Sequence, residues 1–206
     1  MSELTKHVHW LGHASIKITG EKTIYIDPFE ISGGEPADLI LITHDHYDHL
    51  SPKDVAKIRT DKTVVVVPSG CRGKISGKVE VMSVGEKKVF AGISVEAVPA
   101  YNIGKDFHPR LKGGLGYVVT ANGIRIYQAG DTDRIPEMKS LKNIDVAILP
   151  VGGTYTMNPR EAAEAADDVQ PKVAIPFHYG AIVGSSNDAE TFKKHCTIAV
   201  EILRKE

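Results

Sequence analysis

Cysteine is scarce in this chain of 206 residues: only Cys71 and Cys196 occur, far apart and in no C-x-x-C pair. That scarcity argues against a thiolate zinc site and against a disulfide-dense fold, and two ordinary thiols in a reducing compartment are expected. No apolar stretch reaches transmembrane length, and Met1-Ser2-Glu3-Leu4-Thr5-Lys6 is followed by no signal-peptide core. A cytoplasmic protein without a membrane span is therefore expected. Neither sign of charge dominates, since 25 Lys and Arg stand against 26 Asp and Glu for a formal net charge of -1. A nucleic-acid partner, which needs clustered basic surface, is not indicated. No low-complexity linker divides the sequence, and neither Gly33-Gly34 nor Gly152-Gly153 makes a phosphate-binding fingerprint. Residues 1–206 are expected to form one domain, with 42% hydrophobic residues to build its core.

What the chain does have is concentrated in Thr43-His44-Asp45-His46-Tyr47-Asp48-His49, directly after the apolar run Leu39-Ile40-Leu41-Ile42. Side chains alternate faces along an extended backbone, so His44 and His46 are expected to point the same way from the end of a buried strand. Asp48 and His49 follow in the turn and add two more donors from another side. Imidazole and carboxylate without cysteine suit zinc, manganese, iron or nickel, and suit a catalytic site better than a structural one.

Strand and helix signals alternate along the chain. Val8 to Ile18, Thr23 to Asp27 and Ala37 to Thr43 read as the first strands, and Ser51-Pro52 opens a helix right after the histidine cluster. Val64 to Val67, Val79 to Val84, Lys88 to Phe90 and Ile93 to Val98 read as further strands. Gly116 to Thr120 and Ile124 to Tyr127 flank Asn122-Gly123, a hairpin signal. Ile144 to Val151 is another strand, Asn158-Pro159-Arg160-Glu161 opens an alanine-rich helix, and Asn187-Asp188-Ala189-Glu190 opens the last one.

His44-x-His46-x-Asp48-His49 resembles the signature of the metallo-β-lactamase superfamily. Gln128-Ala129-Gly130-Asp131-Thr132 looks like that superfamily's bridging-aspartate motif, and Pro176-Phe177-His178-Tyr179 like its final metal-binding histidine. Trp10-Leu11-Gly12-His13-Ala14-Ser15 and Ile24-Tyr25-Ile26-Asp27-Pro28 narrow the resemblance. They are similar to the branch with ascorbate-6-phosphate lactonases, N-acyl-phosphatidylethanolamine phospholipase D and small metal-dependent hydrolases, in which this histidine and this Asp-Pro pair lie near the metal pocket. The resemblance implies an α+β chain folded as an αββα sandwich, two mostly antiparallel sheets flanked by helices. It implies one or two divalent ions per chain, zinc first and manganese or nickel as alternatives. His44 and His46 should hold the first, Asp48, His49 and His178 the second, with Asp131 between them and water held there as hydroxide.

One departure stands out. The third histidine of the first site usually follows the strand that here ends Val98-Pro99-Ala100-Tyr101-Asn102, where there is no imidazole. His108 in the next loop is the candidate replacement, or else a substrate contact. Lys105, Arg110 and Lys112 surround it, so Lys105, Arg110 and Tyr101 are candidate contacts to an anionic substrate. His13 is either a strand histidine with ordinary hydrogen bonds or a group acting at the metal pocket, and it joins Asp48 and Asp131 as a catalytic candidate. The expected function is metal-dependent hydrolysis of a small anionic ester, lactone or phosphodiester. The rival is a non-catalytic metal-binding or sensing protein, and a homo-oligomer is left open.

Overall fold

The apolar segments pair in chain order. In the computed structural model, which describes residues 2–206, one sheet holds β1 (Val8–Gly12), β2 (Ser15–Ile18), β3 (Ile24–Ile26), β4 (Leu39–Leu41), β5 (Val64–Pro68) and β6 (Glu80–Met82) side by side. The other holds β7 (Lys87–Phe90), β8 (Ile93–Pro99), β9 (Leu115–Ala121), β10 (Ile124–Gln128), β11 (Val146–Pro150) and β12 (Val173–Phe177). Helix α1 (Pro52–Ile58) lies between β4 and β5, α2 (Pro159–Val169) between β11 and β12, and α3 (Ser186–His195) follows β12.

Alternation along the strands separates two apolar layers. Ile24, Ile26, Leu39, Leu41 and Val66 of the first sheet join Val95, Ala97, Tyr117, Val119 and Ile126 of the second in the main core. The intervening Tyr25, Ile40, Val65 and Val67 turn the other way and pack with Val55 and Ile58 of α1. Ala162, Ala165, Ala166 and Val169 of α2 cover the second sheet together with Ala189 and Phe192 of α3. The result is the expected sandwich of two helix-flanked sheets.

The strand directions are mixed, where mostly antiparallel sheets were expected. β1, β2 and β3 pair antiparallel, but β3 through β6 run parallel. Likewise β7 through β10 are antiparallel, and β10, β11 and β12 are parallel. Parallel neighbours need a crossover that returns the chain to the starting edge, and the segments carrying α1 and α2 provide two of them. Parallel direction matters for the site, because it puts the carboxyl ends of β3 and β4, and of β10 and β12, on one side of their sheets.

Several boundaries also move. The segment Val8 to Ile18 is a hairpin, not one strand: its register shifts between Trp10 and Gly12, and the chain reverses at His13, which has φ 46. Helix α3 is capped from Ser185, whose N–H donates to Asp188 Oδ2 at 2.6 Å, two residues before the expected start. The other two caps fall where expected. Asn158 Oδ1 accepts from Arg160 N (2.9 Å) and Glu161 N (3.1 Å), and Ser51 Oγ accepts from Asp54 N at 3.3 Å. Among the described residues no helix is long and apolar enough to cross a membrane. Both cysteines are free.

Candidate metal centre

Past Ile42, whose N–H still donates to Val66 O of β5 at 3.0 Å, the chain leaves the sheet because its hydrogen bonds go elsewhere. Thr43 N–H donates to Asp27 Oδ1 at 2.8 Å, and Thr43 O accepts from Leu115 N at 2.9 Å, which ties the two sheets together. His44 and His46 therefore lie on a loop, and strand alternation is not what makes them converge. Their rings sit 4.6 Å apart at 76°. The chain then turns tightly, with His49 N and Leu50 N both donating to His46 O at 3.1 and 2.8 Å. That turn brings Asp48 and His49 back toward His44, whose ring lies 4.0 Å from that of His49.

Asp27, fully buried at the end of β3 with φ 47, organises this loop. Its Oδ2 accepts from Thr43 Oγ1 at 2.6 Å and from His49 Nδ1 at 2.8 Å. Because Thr43 gives its only hydroxyl proton to Asp27, its oxygen accepts from His44 Nδ1 at 2.9 Å. One carboxylate thus sets the tautomer of two imidazoles, directly for His49 and through Thr43 for His44. In both, the lone pair of Nε2 is left facing inward.

The second sheet supplies the opposite wall. Gly130, at φ 65, lets the chain leave β10 close to β9, where a Cβ would meet Leu115 O at 2.6 Å. Asp131 follows, with Oδ1 3.4 Å from His49 Nε2 and Oδ2 3.1 Å from His178 Nε2. His178, just after β12, also has a positive φ, 62, which is uncommon for a residue with a side chain. His108 reaches the same place: its Nε2 is 3.3 Å from Asp131 Oδ2 and 3.2 Å from His46 Nδ1. Asn102, where the departure was noted, is what aims it. Asn102 Oδ1 accepts from His108 N (2.9 Å) and Nδ1 (3.0 Å), while its Nδ2 donates to Asp133 Oδ1 (3.1 Å) and Tyr155 O (3.0 Å).

His13 is no strand histidine. It sits at the tip of the β1–β2 hairpin, and its carbonyl accepts from Trp10 Nε1 at 2.9 Å and His178 N at 3.0 Å. Its Nε2 lies 2.8 Å from Asp48 Oδ2, and its ring centroid 4.1 Å from that of His178.

Burial opposes ionisation of Asp131, but the imidazoles of His178 and His49 outweigh it and hold the carboxyl well below the usual range. Burial also opposes charge on His49, yet Asp131 and Asp27 hold that imidazole well above its ordinary value. The field that favours a proton there favours a cation equally. Burial pushes His44 well down and His108 down, keeping both neutral and able to donate a lone pair. Buried Nε2 atoms of His44, His49 and His178, and Oδ1 of Asp131, have no hydrogen-bond partner in the protein. Orphaned buried acceptors are costly unless something electropositive satisfies them. The donors fall into sets whose atoms lie within 4.8 Å of one another: His44, His46 and His108; His13, Asp48, His49 and His178; and His44, His49 and Asp131. Such all-nitrogen and oxygen sets suit one or two divalent ions.

The cluster opens into a cleft with two lobes that share Asp45, His46, Phe107, His108 and Asp131. One lobe, of about 400 Å³, adds Cys71 and Lys112. Burial pushes the Cys71 thiol up to about 12, which disfavours the thiolate. Three of the expected substrate contacts turn away from the cleft lining. Lys105 Nζ donates to Asp133 Oδ1 (2.5 Å) and Thr156 O (2.8 Å). Arg110 pairs with Glu137 Oε1 at 2.8 Å and lies 4.9 Å over the Tyr101 ring, and the Tyr101 hydroxyl donates to Glu137 Oε2 at 3.0 Å. Loop cations near His108 were visible in the sequence, but which of them faced the cleft depended on the loop's fold.

A family model described as a β-lactamase superfamily domain matches residues 7–178. The UPF0173 metal-dependent hydrolase of Thermococcus onnurineus is 35% identical over 212 residues, covering 95% of this chain and 94% of its own length. Its namesake from Pyrococcus furiosus is 37% identical over 205 residues, with 91% and 90% coverage. A crystal structure of a candidate metal-dependent hydrolase from Parabacteroides distasonis superposes with a TM-score of 0.87 at 36% identity, over 96% of this chain and 92% of that one. Igni18, a metallo hydrolase of Ignicoccus hospitalis, shares the fold at 21% identity, a TM-score of 0.79 and coverage of 96% and 94%. The HxHxDH loop, the paired sheets and these relatives agree: the chain belongs to the metallo-β-lactamase superfamily, alongside its metal-dependent hydrolases.

Proposed function

We propose that this chain is a hydrolase in which His44, His46 and His108 hold one divalent cation and Asp48, His49 and His178 a second. The observation that carries the reading is Asp131, whose carboxylate stands between the two sets, 3.3 Å from His108 Nε2 and 3.1 Å from His178 Nε2. Bound there, zinc, manganese or nickel would supply Lewis acidity and lower the pKa of water to about 7. The protein's part is to hold the donors still. Asp27 and Thr43 fix His44 and His49, Asn102 fixes His108, and His13 Nε2 holds Asp48 Oδ2, the oxygen that faces His49 and His178. Asp131, kept ionised by its histidine neighbours, would offer carboxylate oxygens to both donor sets.

The bond cleaved is that of an ester, a lactone or a phosphodiester, all of which develop negative charge on an oxygen that a cation can neutralise. Lys112, at the rim of one lobe and in no ion pair among the described residues, is the cation available to an anionic substituent. His108 standing beside His46 favours turnover over a purely metal-binding role, since that alternative rested on a missing third histidine.

Asp131→Asn tests the reading. Metal content by plasma emission spectroscopy and turnover of an aryl ester, a lactone and an aryl phosphodiester are measured with zinc, manganese and nickel. The variant should keep its fold and lose roughly 100-fold or more in turnover. Full turnover at unchanged metal content would remove Asp131 from the mechanism.

A further inference from the structure

We infer that the cleft selects substrates bearing a neutral aryl or alkyl group, seated in the lobe formed by Tyr47, Phe107, Tyr155 and Ile182. The inference names a substrate class for the hydrolase proposed above and rests on that reading for its biological meaning.

The lobe measures about 420 Å³ and lies directly over His46, Asp48, Asp131 and His178. Large apolar side chains rarely gather in the open without a partner. Here Tyr47, Phe107 and Ile182 are 68%, 46% and 41% exposed and all line this one lobe. Their rings are braced: Phe107 meets Tyr155 edge to face at 4.7 Å and 89°, and Tyr47 meets Phe29 at 5.9 Å and 78°. Tyr155 O accepts from Asn102 Nδ2, which also orients His108, so the apolar wall and the histidine cluster are held in one frame. No lysine or arginine lines this lobe, and Lys105 and Arg110 are committed to Asp133 and Glu137. A carboxylate or phosphate placed there would find no lysine or arginine in the lining to pair with, and the nearby Lys74 is already committed to Asp45. A flat apolar group would instead displace water from four hydrophobic side chains while its hydrolysable bond lay over Asp131.

Three hydroxamates separate this lobe from the metals, because each chelates through the same atoms and only the appended group differs. Acetohydroxamate, benzohydroxamate and 4-carboxybenzohydroxamate are titrated into the metal-loaded protein by calorimetry. Benzohydroxamate should bind at least about tenfold tighter than acetohydroxamate, and the added carboxylate should cancel the gain. Phe107→Ala and Ile182→Ala should each shrink the benzo-to-aceto ratio while leaving acetohydroxamate affinity within about twofold. Equal affinities, no binding by any of the three, tightest binding of the carboxylate, or a ratio untouched by both variants overturns the inference. So does a stable dimer that either variant dissociates, which would assign the apolar rim to a second copy. Ester turnover measured on the same preparations keeps the two readings apart. Lost turnover with an intact ratio sinks only the hydrolase, and turnover without the ratio sinks only the apolar lobe.

Discussion

Asp27 contacts no candidate substrate, yet three hydrogen bonds converge on it: from Thr43 N at 2.8 Å, Thr43 Oγ1 at 2.6 Å and His49 Nδ1 at 2.8 Å. An amide in its place can accept at only one atom, so Asp27→Asn leaves either His49 or Thr43 without its acceptor and frees the imidazole to take the other tautomer. Metal affinity, measured by competition against a chelator, should fall roughly 10- to 100-fold while the circular dichroism spectrum is kept. Unchanged affinity would reduce Asp27 to a structural anchor. The cluster itself was readable in the sequence, because His44, His46, Asp48 and His49 are adjacent and their chemistry does not depend on the fold. His108 was readable only as a candidate. Its orientation comes from Asn102 and Tyr155 O, and a loop's hydrogen bonds leave no spacing to read. For His13 the sequence left two readings open, and the strand one fails because Gly12-His13 makes a turn with positive φ in the middle of an alternating pattern that looks like unbroken strand.

Helix α2 is held to the segment after β10 by a two-pronged ion pair. Arg134 Nε lies 2.6 Å from Asp168 Oδ2 and its Nη2 lies 3.0 Å from Oδ1, with Glu164 also pairing to the guanidinium. The Arg134 guanidinium holds the Asp168 carboxyl below its ordinary value of 3.8. A depressed carboxylate contributes stability that is full above the unfolded-state value and is lost as pH falls through the folded-state value. Asp168→Asn should therefore cost under about 1 kcal/mol at neutral pH, given the pair's partial exposure. The gap from the parent in urea midpoints should close in acid, below 3.8; a gap that persists there would assign the loss to packing. At this scale the sequence was most informative where the signal is local. Asn158 and Ser51 both cap the helices expected of them, whereas strand direction, set by crossover length and packing, marks no residue and was expected wrongly.

Across the whole molecule the donors come from both sheets, with His13, His44, His46, Asp48 and His49 on one side and His108, Asp131 and His178 on the other. Ions bound between them stabilise the native state only, by about 4 kcal/mol at a free concentration 1,000 times the dissociation constant. Treatment with a chelator should lower the midpoint of thermal unfolding and restored zinc or manganese should recover it; an identical midpoint would mean the cluster holds no ion tightly. The architecture was legible because three separated motifs identify it together, not because any one segment encodes a sandwich. Every strand in both sheets lies beside its neighbour in the chain, so each half can assemble from nearby contacts. Remote segments are joined at the seam, through Leu115 N to Thr43 O and His178 N to His13 O, and at β1, where the end of the chain returns and Glu206 N donates to Trp10 O. Closing those long loops carries the larger entropy cost and comes late. During synthesis the first four donors of the HxHxDH loop emerge long before His178, so a half-made chain offers an ion a partial and weak grip. The complete donor set exists only once the two sheets have closed on each other.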